Sequence, residues 1–218
     1  AVSPLMNHAD ENIYFHTDHH WTQLGAYYVY EAFINELGDD IDPYYTFDKQ
    51  TISNYYGSLT RFTADTDGYD MLMSSPNALQ LFSPKVSYEG YSFNDMEMND
   101  FISNVEPIVP GFKNYNCFLG GDYPLQVYNT DVNNGRSLVI IKESYGNAFS
   151  TWALNNFETV YIVDYRKFNN YGGTNEYENV FKINEFYELT NFTDLLIISY
   201  PVSVTNAPEA AALRTMTE

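Results

Sequence analysis

Cysteine is nearly missing from this 218-residue chain, with Cys117 standing alone. A single thiol can form no intrachain disulfide, thiolate metal cluster or Cys-x-x-Cys redox pair. Its apolar neighbours Phe118 and Leu119 mark it as a small buried hydrophobe. Positive charge is also scarce: 10 Lys and Arg stand against 29 Asp and Glu, a formal charge of −19. Such a surface repels phosphate, which argues against nucleic acid and an anionic membrane face as partners. No apolar run approaches the ~20 residues of a transmembrane helix, so no membrane insertion is expected. The chain opens on Ala1 rather than Met and reaches its most motif-like segment by Thr17, an opening that fits a domain trimmed at its N-terminus.

Of what is present, 44% of residues are hydrophobic and 17% aromatic, enough for one globular domain spanning 1–218. Leu24, Tyr27, Tyr30, Ile34 and Leu37 recur at helical spacing, with Thr22 as N-cap and Gly38 just past the end. Residues 39–134 hold no long amphipathic pattern and read as short strands and loops, an insertion or an extension of a sheet. Partial alternation from Gln80 to Phe93 suggests a hairpin turning near Glu89-Gly90. The last third has three apolar strand runs, at 137–142, 159–164 and 194–199. A helix follows Ser144-Tyr145-Gly146 and another covers 183–189, implying an α/β fold with a mainly parallel sheet. Residues after Pro201 read as a tail.

All four histidines, His8, His16, His19 and His20, lie in the first twenty residues, and Asp18 stands two places before His20. A histidine accepts a proton near neutral pH, and a carboxylate on its second ring nitrogen fixes the tautomer. Such a pair needs a nucleophile to become catalytic. Ser144 follows a buried strand and precedes a helix, the end of an α/β sheet where ligands bind and where helix-start N–H groups can face an oxyanion. The plainer role for Ser144 is that of a helix cap.

Asp18-His19-His20-Trp21, together with Ser144-Tyr145-Gly146-Asn147-Ala148-Phe149, resembles the bacterial DHHW family. That family is similar to SGNH-hydrolase-like O-acetyltransferases of alginate and related envelope polysaccharides. The likeness extends to Tyr56-Gly57-Ser58-Leu59, to Phe118 through Pro124 and to Val160 through Arg166. It implies an SGNH-like three-layer fold, with Ser144 as nucleophile, His20 as general base and Asp18 as the residue orienting it, and no cofactor. Oxyanion or substrate-binding candidates are the Ser144 N–H, Asn147, Gly120, Gly121, Ser58 and Tyr145. Glu143 departs from the pattern, standing where an Asp commonly precedes the serine. The implied activity is a carbohydrate esterase or O-acetyltransferase outside the cell or in its envelope, acting on an acetylated glycan. Two other classes stay open: a non-catalytic carbohydrate-binding or scaffold module of the same fold, and a metal site built from His16, Asp18, His19 and His20.

Overall fold

The helix after the His-rich segment forms where its pattern places it. In the computed structural model, which describes residues 2–169, 171, 179–200 and 202–217, it is α2 (Gln23–Leu37). The Thr22 hydroxyl accepts from the Gly25 N–H at its start, and Gly38 ends it at φ 77°. A short helix, α1 (Val2–Met6), precedes it.

The three apolar runs become β6 (Ser137–Lys142), β7 (Thr159–Asp164) and β8 (Asp194–Ile198), paired in parallel with β6 between the other two. Beyond β7 the sheet continues through β5 (Leu125–Thr130), β3 (Tyr88–Phe93) and β4 (Phe101–Asn104), all joined antiparallel. The six strands run β4-β3-β5-β7-β6-β8, so the sheet is mixed. A mainly parallel sheet was expected because β6, β7 and β8 alone read as continuous apolar runs; β8 is nonetheless an edge strand with Leu195 and Ile197 exposed, while β5, buried from Leu125 to Tyr128, is interrupted by Gln126. Strands β1 (Lys49–Tyr55) and β2 (Asn77–Phe82) form a separate antiparallel pair, and the short helices α3 (Ser58–Phe62) and α4 (Gly68–Met73) lie between them.

The central strands alternate between two cores. Leu138 and Ile140 face a core shared with α2 and with α5 (Gly146–Ala153), which follows β6. Val139 and Ile141 face a second core with Phe186 of α6 (Ile183–Thr190) and with Ala212 and Met216 of α7 (Ala207–Thr217). Each chain tryptophan donates across the α2–α5 seam. Trp21 Nε1 reaches the Tyr145 carbonyl at 2.9 Å, and Trp152 Nε1 reaches the Gln23 carbonyl at 2.8 Å.

Two expectations are corrected. Residues 207–217 are a helix, not a tail: Ala212 and Met216, four apart, fix one face of it on the second core. Glu89-Gly90 lies inside β3 and turns nothing. A Cβ on Gly90 would stand 2.3 Å from the Val105 carbonyl and 2.6 Å from the Tyr128 ring, so this glycine serves close packing within a strand.

Candidate active site

Residues 14–21 form a loop closed at its base by an antiparallel bridge between Tyr14 and Trp21. Its tip is held from outside. Thr17 donates its N–H and hydroxyl to Asn77 Oδ1, at 3.0 and 2.7 Å, and its carbonyl accepts from the Leu59 N–H. Gly57 must be glycine for this contact, since a Cβ there would lie 2.2 Å from the Asp18 Cβ.

Asp18 is buried, and both its carboxylate oxygens are used. Oδ1 meets His20 Nδ1 at 2.6 Å, while Oδ2 accepts from the Tyr55 hydroxyl at 2.5 Å and the Ser58 N–H at 2.8 Å. Burial alone would raise its pKa, but the hydrogen bonds from His20, Tyr55 and Ser58 outweigh it and hold the carboxyl well below the usual carboxylate range. His20 is sandwiched in turn: its ring stacks on Tyr115 with centroids 3.8 Å apart and planes 9° apart. Its Nε2 lies 2.9 Å from Ser144 Oγ, across 124 positions of sequence.

Ser144 ends the turn from β6 into α5, half-buried among buried neighbours. The next three N–H groups are all spoken for. Tyr145 N–H goes to Glu143 Oε2 at 3.1 Å, Gly146 N–H to the Glu143 carbonyl at 2.9 Å, and Asn147 N–H to the Ser144 carbonyl at 3.2 Å. Among the described residues no acceptor takes the Ser144 N–H, which leaves it as the oxyanion donor the turn can offer. Asn147 Nδ2 gives one of its two hydrogens to Asp122 Oδ1 at 3.0 Å, and the second has no partner among the described residues. Gly120 and Gly121, at φ 72° and 120°, bend the chain so that Asp122 arrives beside Asn147 and Lys142, and the Gly121 N–H is taken by the Phe118 carbonyl. Ser58 buttresses Asp18, and the Tyr145 ring is buried against His20 and Trp21.

Under the turn lies a second charged cluster. Fully buried Lys142 reaches Asp122 and Asp164, both at 3.1 Å, and Arg166 meets the same two carboxylates at 2.8 and 2.6 Å. Gly146 packs directly on Lys142, where a Cβ would fall 2.4 Å from the lysine's own. Glu143 is buried, its Oε2 standing 3.2 Å from Ser144 Oγ, where it competes with the nearer His20 Nε2 for the single hydroxyl proton, and its Oε1 accepting from the Tyr200 N–H at 2.9 Å. Burial pushes its carboxyl up, against the lowering effect of these N–H contacts.

His16 lies apart from this centre, with its ring nitrogens on the Ser75 carbonyl and Asn77 Nδ2. His8 pairs with Glu11. Asp18, His19 and His20 each bring one ligand atom within 4.8 Å of the others, yet the Asp18 oxygens are already engaged, so the donor set suits a hydrogen-bonded relay better than an ion. Cys117 is buried, which lifts its thiol to about 12. Tyr55, Gly57, Asn77, Tyr115 and Asp122 escaped sequence reasoning as site residues. Only Gly57 and Asp122 carried a signal, lying inside segments that resemble the family.

A serine, a histidine and an aspartate joined in series on a mixed α/β fold define the class. The chain belongs to the DHHW protein family, whose match covers residues 2–163. A DHHW family protein from Eubacterium siraeum has a similar structure, at 26% identity and TM-score 0.82, with 99% of this chain covering 68% of that one. Bacillus cereus PatB1 shares the fold at 17% identity and TM-score 0.65, and with a sulfonyl adduct at 16% and 0.67. In both cases 91% of this chain aligns, and it spans 65% and 63% of the PatB1 chains. No curated protein gives a significant match. Among the described residues no helix is long and apolar enough to cross a membrane.

Proposed function

We propose that the protein is an SGNH-hydrolase-like serine esterase or O-acyltransferase that acts on carbohydrate of the cell envelope or outside the cell. The observation that carries this reading is the relay from Asp18 through His20 to Ser144, with links of 2.6 and 2.9 Å. Asp18 keeps the His20 proton on Nδ1 and leaves Nε2 as the acceptor. Ser144 Oγ attacks the acyl carbonyl as its proton passes to Nε2, and the Ser144 N–H meets the developing oxyanion. His20 then returns the proton to the departing alcohol, leaving an acyl-Ser144 ester for water or a sugar hydroxyl to resolve. The carbohydrate and the envelope location come from the family resemblance.

Labelling with a fluorophosphonate, read by intact mass, tests the reading. The wild type should gain one label, and Ser144→Ala and His20→Ala should gain none. Labelling that survives in Ser144→Ala overturns the nucleophile. A wild type that neither labels nor turns over an activated acetyl ester supports a non-catalytic module instead.

A further inference from the structure

The relay uses His20 and leaves its neighbour unexplained. His19 is about a third exposed, and its ring lies 3.8 Å from that of His20, on the rim of the centre. Nδ1 is anchored to Ser58 Oγ at 2.6 Å. Among the described residues nothing bonds Nε2. Two further rings flank it: Phe62 at 6.5 Å, strongly exposed, and Tyr200 at 5.9 Å. Tyr200 also touches the Tyr145 ring at 5.1 Å, while its N–H holds Glu143 beside the nucleophile. Next to the histidine that bonds half-buried Ser144 there is thus a small aromatic rim with one unfilled ring nitrogen in it. Water needs neither an exposed aromatic face nor a second imidazole to reach an acyl ester. A pyranose gains from both, since its C–H face stacks on aromatics and its hydroxyls take a hydrogen-bond partner.

We propose that His19, with Phe62 and Tyr200, forms the acceptor subsite, in which His19 Nε2 bonds one hydroxyl of a neutral sugar and so directs a neighbouring hydroxyl of that sugar to the acyl carbon. This assignment rests on Ser144 being the acylated nucleophile. In the transfer step His20 takes the proton of the sugar hydroxyl as its oxygen bonds to the acyl carbon. The carbonyl-to-Ser144 Oγ bond breaks, the proton passes to Oγ, and the sugar ester leaves. Burial and the neighbouring His20 lower the pKa of His19 against the pull of Asp18, which keeps the ring neutral at neutral pH and suits it to a hydroxyl rather than an anion. His19 thus acts as a specificity residue.

Two amide variants separate this role from a structural one. The side-chain amide of His19→Asn falls near Nδ1 and keeps the Ser58 contact, whereas that of His19→Gln reaches the Nε2 position and gives that contact up. With 4-nitrophenyl acetate as donor and cellotetraose or chitotetraose as acceptor, transfer is followed by mass and the acceptor KM is measured. His19→Asn should raise acceptor KM roughly tenfold, the scale of one lost hydrogen bond, and His19→Gln should stay nearer the wild type. Phe62→Ala should raise it by a comparable factor through lost stacking. The reverse order of the two amides makes His19 a prop for Ser58 and overturns the proposal. Release of 4-nitrophenol with no transfer to either tetrasaccharide overturns it too, and leaves the esterase reading standing. A wild type that gives no acyl-enzyme removes both.

Discussion

Two buried polar clusters meet at Ser144, and they are built on opposite plans. On one side Asp18 and His20 form an open chain: Tyr55 and Ser58 hold Asp18, Asp18 holds His20, and the last link ends on Ser144 Oγ. On the other, Lys142 and Arg166 face Asp122 and Asp164 in a closed ring of two cations and two anions, with no member directed at Ser144 Oγ. Burial strengthens both, since a charge taken out of water is costly unless paired. On the proposed reading an open chain turns that environment into proton transfer, whereas a closed ring makes a fixed platform under the turn.

The contrast can be broken from either end. Asp18→Asn should cut turnover by about 10⁴-fold, the scale of a lost orienting carboxylate. Lys142→Met should act on stability instead: it leaves Asp122 and Asp164 to share Arg166 alone and costs about 3 kcal/mol in urea unfolding, with Lys142→Met/Asp164→Asn recovering part of it. A Lys142 variant of unchanged stability would dissolve the distinction. Asn147→Ala sharpens it. A true oxyanion donor would cost roughly a hundredfold or more in turnover, but a residue that only ties the turn to Asp122 should cost less than about tenfold.

The smallest effect concerns Glu209 of α7, buried against the Tyr165 and Ser199 hydroxyls, with burial and nearby Glu143 raising its carboxyl from 4.5 to about 7. A raised folded-state pKa means the native chain holds the proton more tightly than the unfolded one. Stability is then greatest below pH 4.5 and declines as pH rises toward 7. Glu209→Gln should flatten that limb of a melting-temperature profile. Asp18 has the opposite sign, its contribution being lost only in acid, below the ordinary carboxylate value of 3.8.

Elements with an unbroken period were legible in the sequence. Helix α2 with both its caps and the parallel trio β6, β7 and β8 followed from spacing and burial. What failed depended on partners far along the chain. Gly90 looks like a turn until Val105 and Tyr128 close on it, and α7 looks like a tail until the second core gives Ala212 and Met216 a surface. The candidate site divides the same way. Asp18, His20 and Ser144 announce themselves by residue type and by family likeness, while the residues that hold them, Tyr55, Asn77 and Tyr115, are ordinary until folding brings them in. The segment 39–134 supplies both the Asp18 contacts and the antiparallel strands, roles that no local pattern distinguishes.

The reciprocal bonds of Trp21 and Trp152 make the chain its own optical gauge. These are its only two tryptophans, and both indoles sit across the α2–α5 seam, one of them next in sequence to His20 and bonded to the residue after Ser144. Emission excited on the red edge, past the 21 tyrosines, therefore reports that seam alone. Acylation or glycan capture that shifts the nucleophile turn should change its colour or quenching, while movement in the distant edge strands should leave the spectrum dark to it.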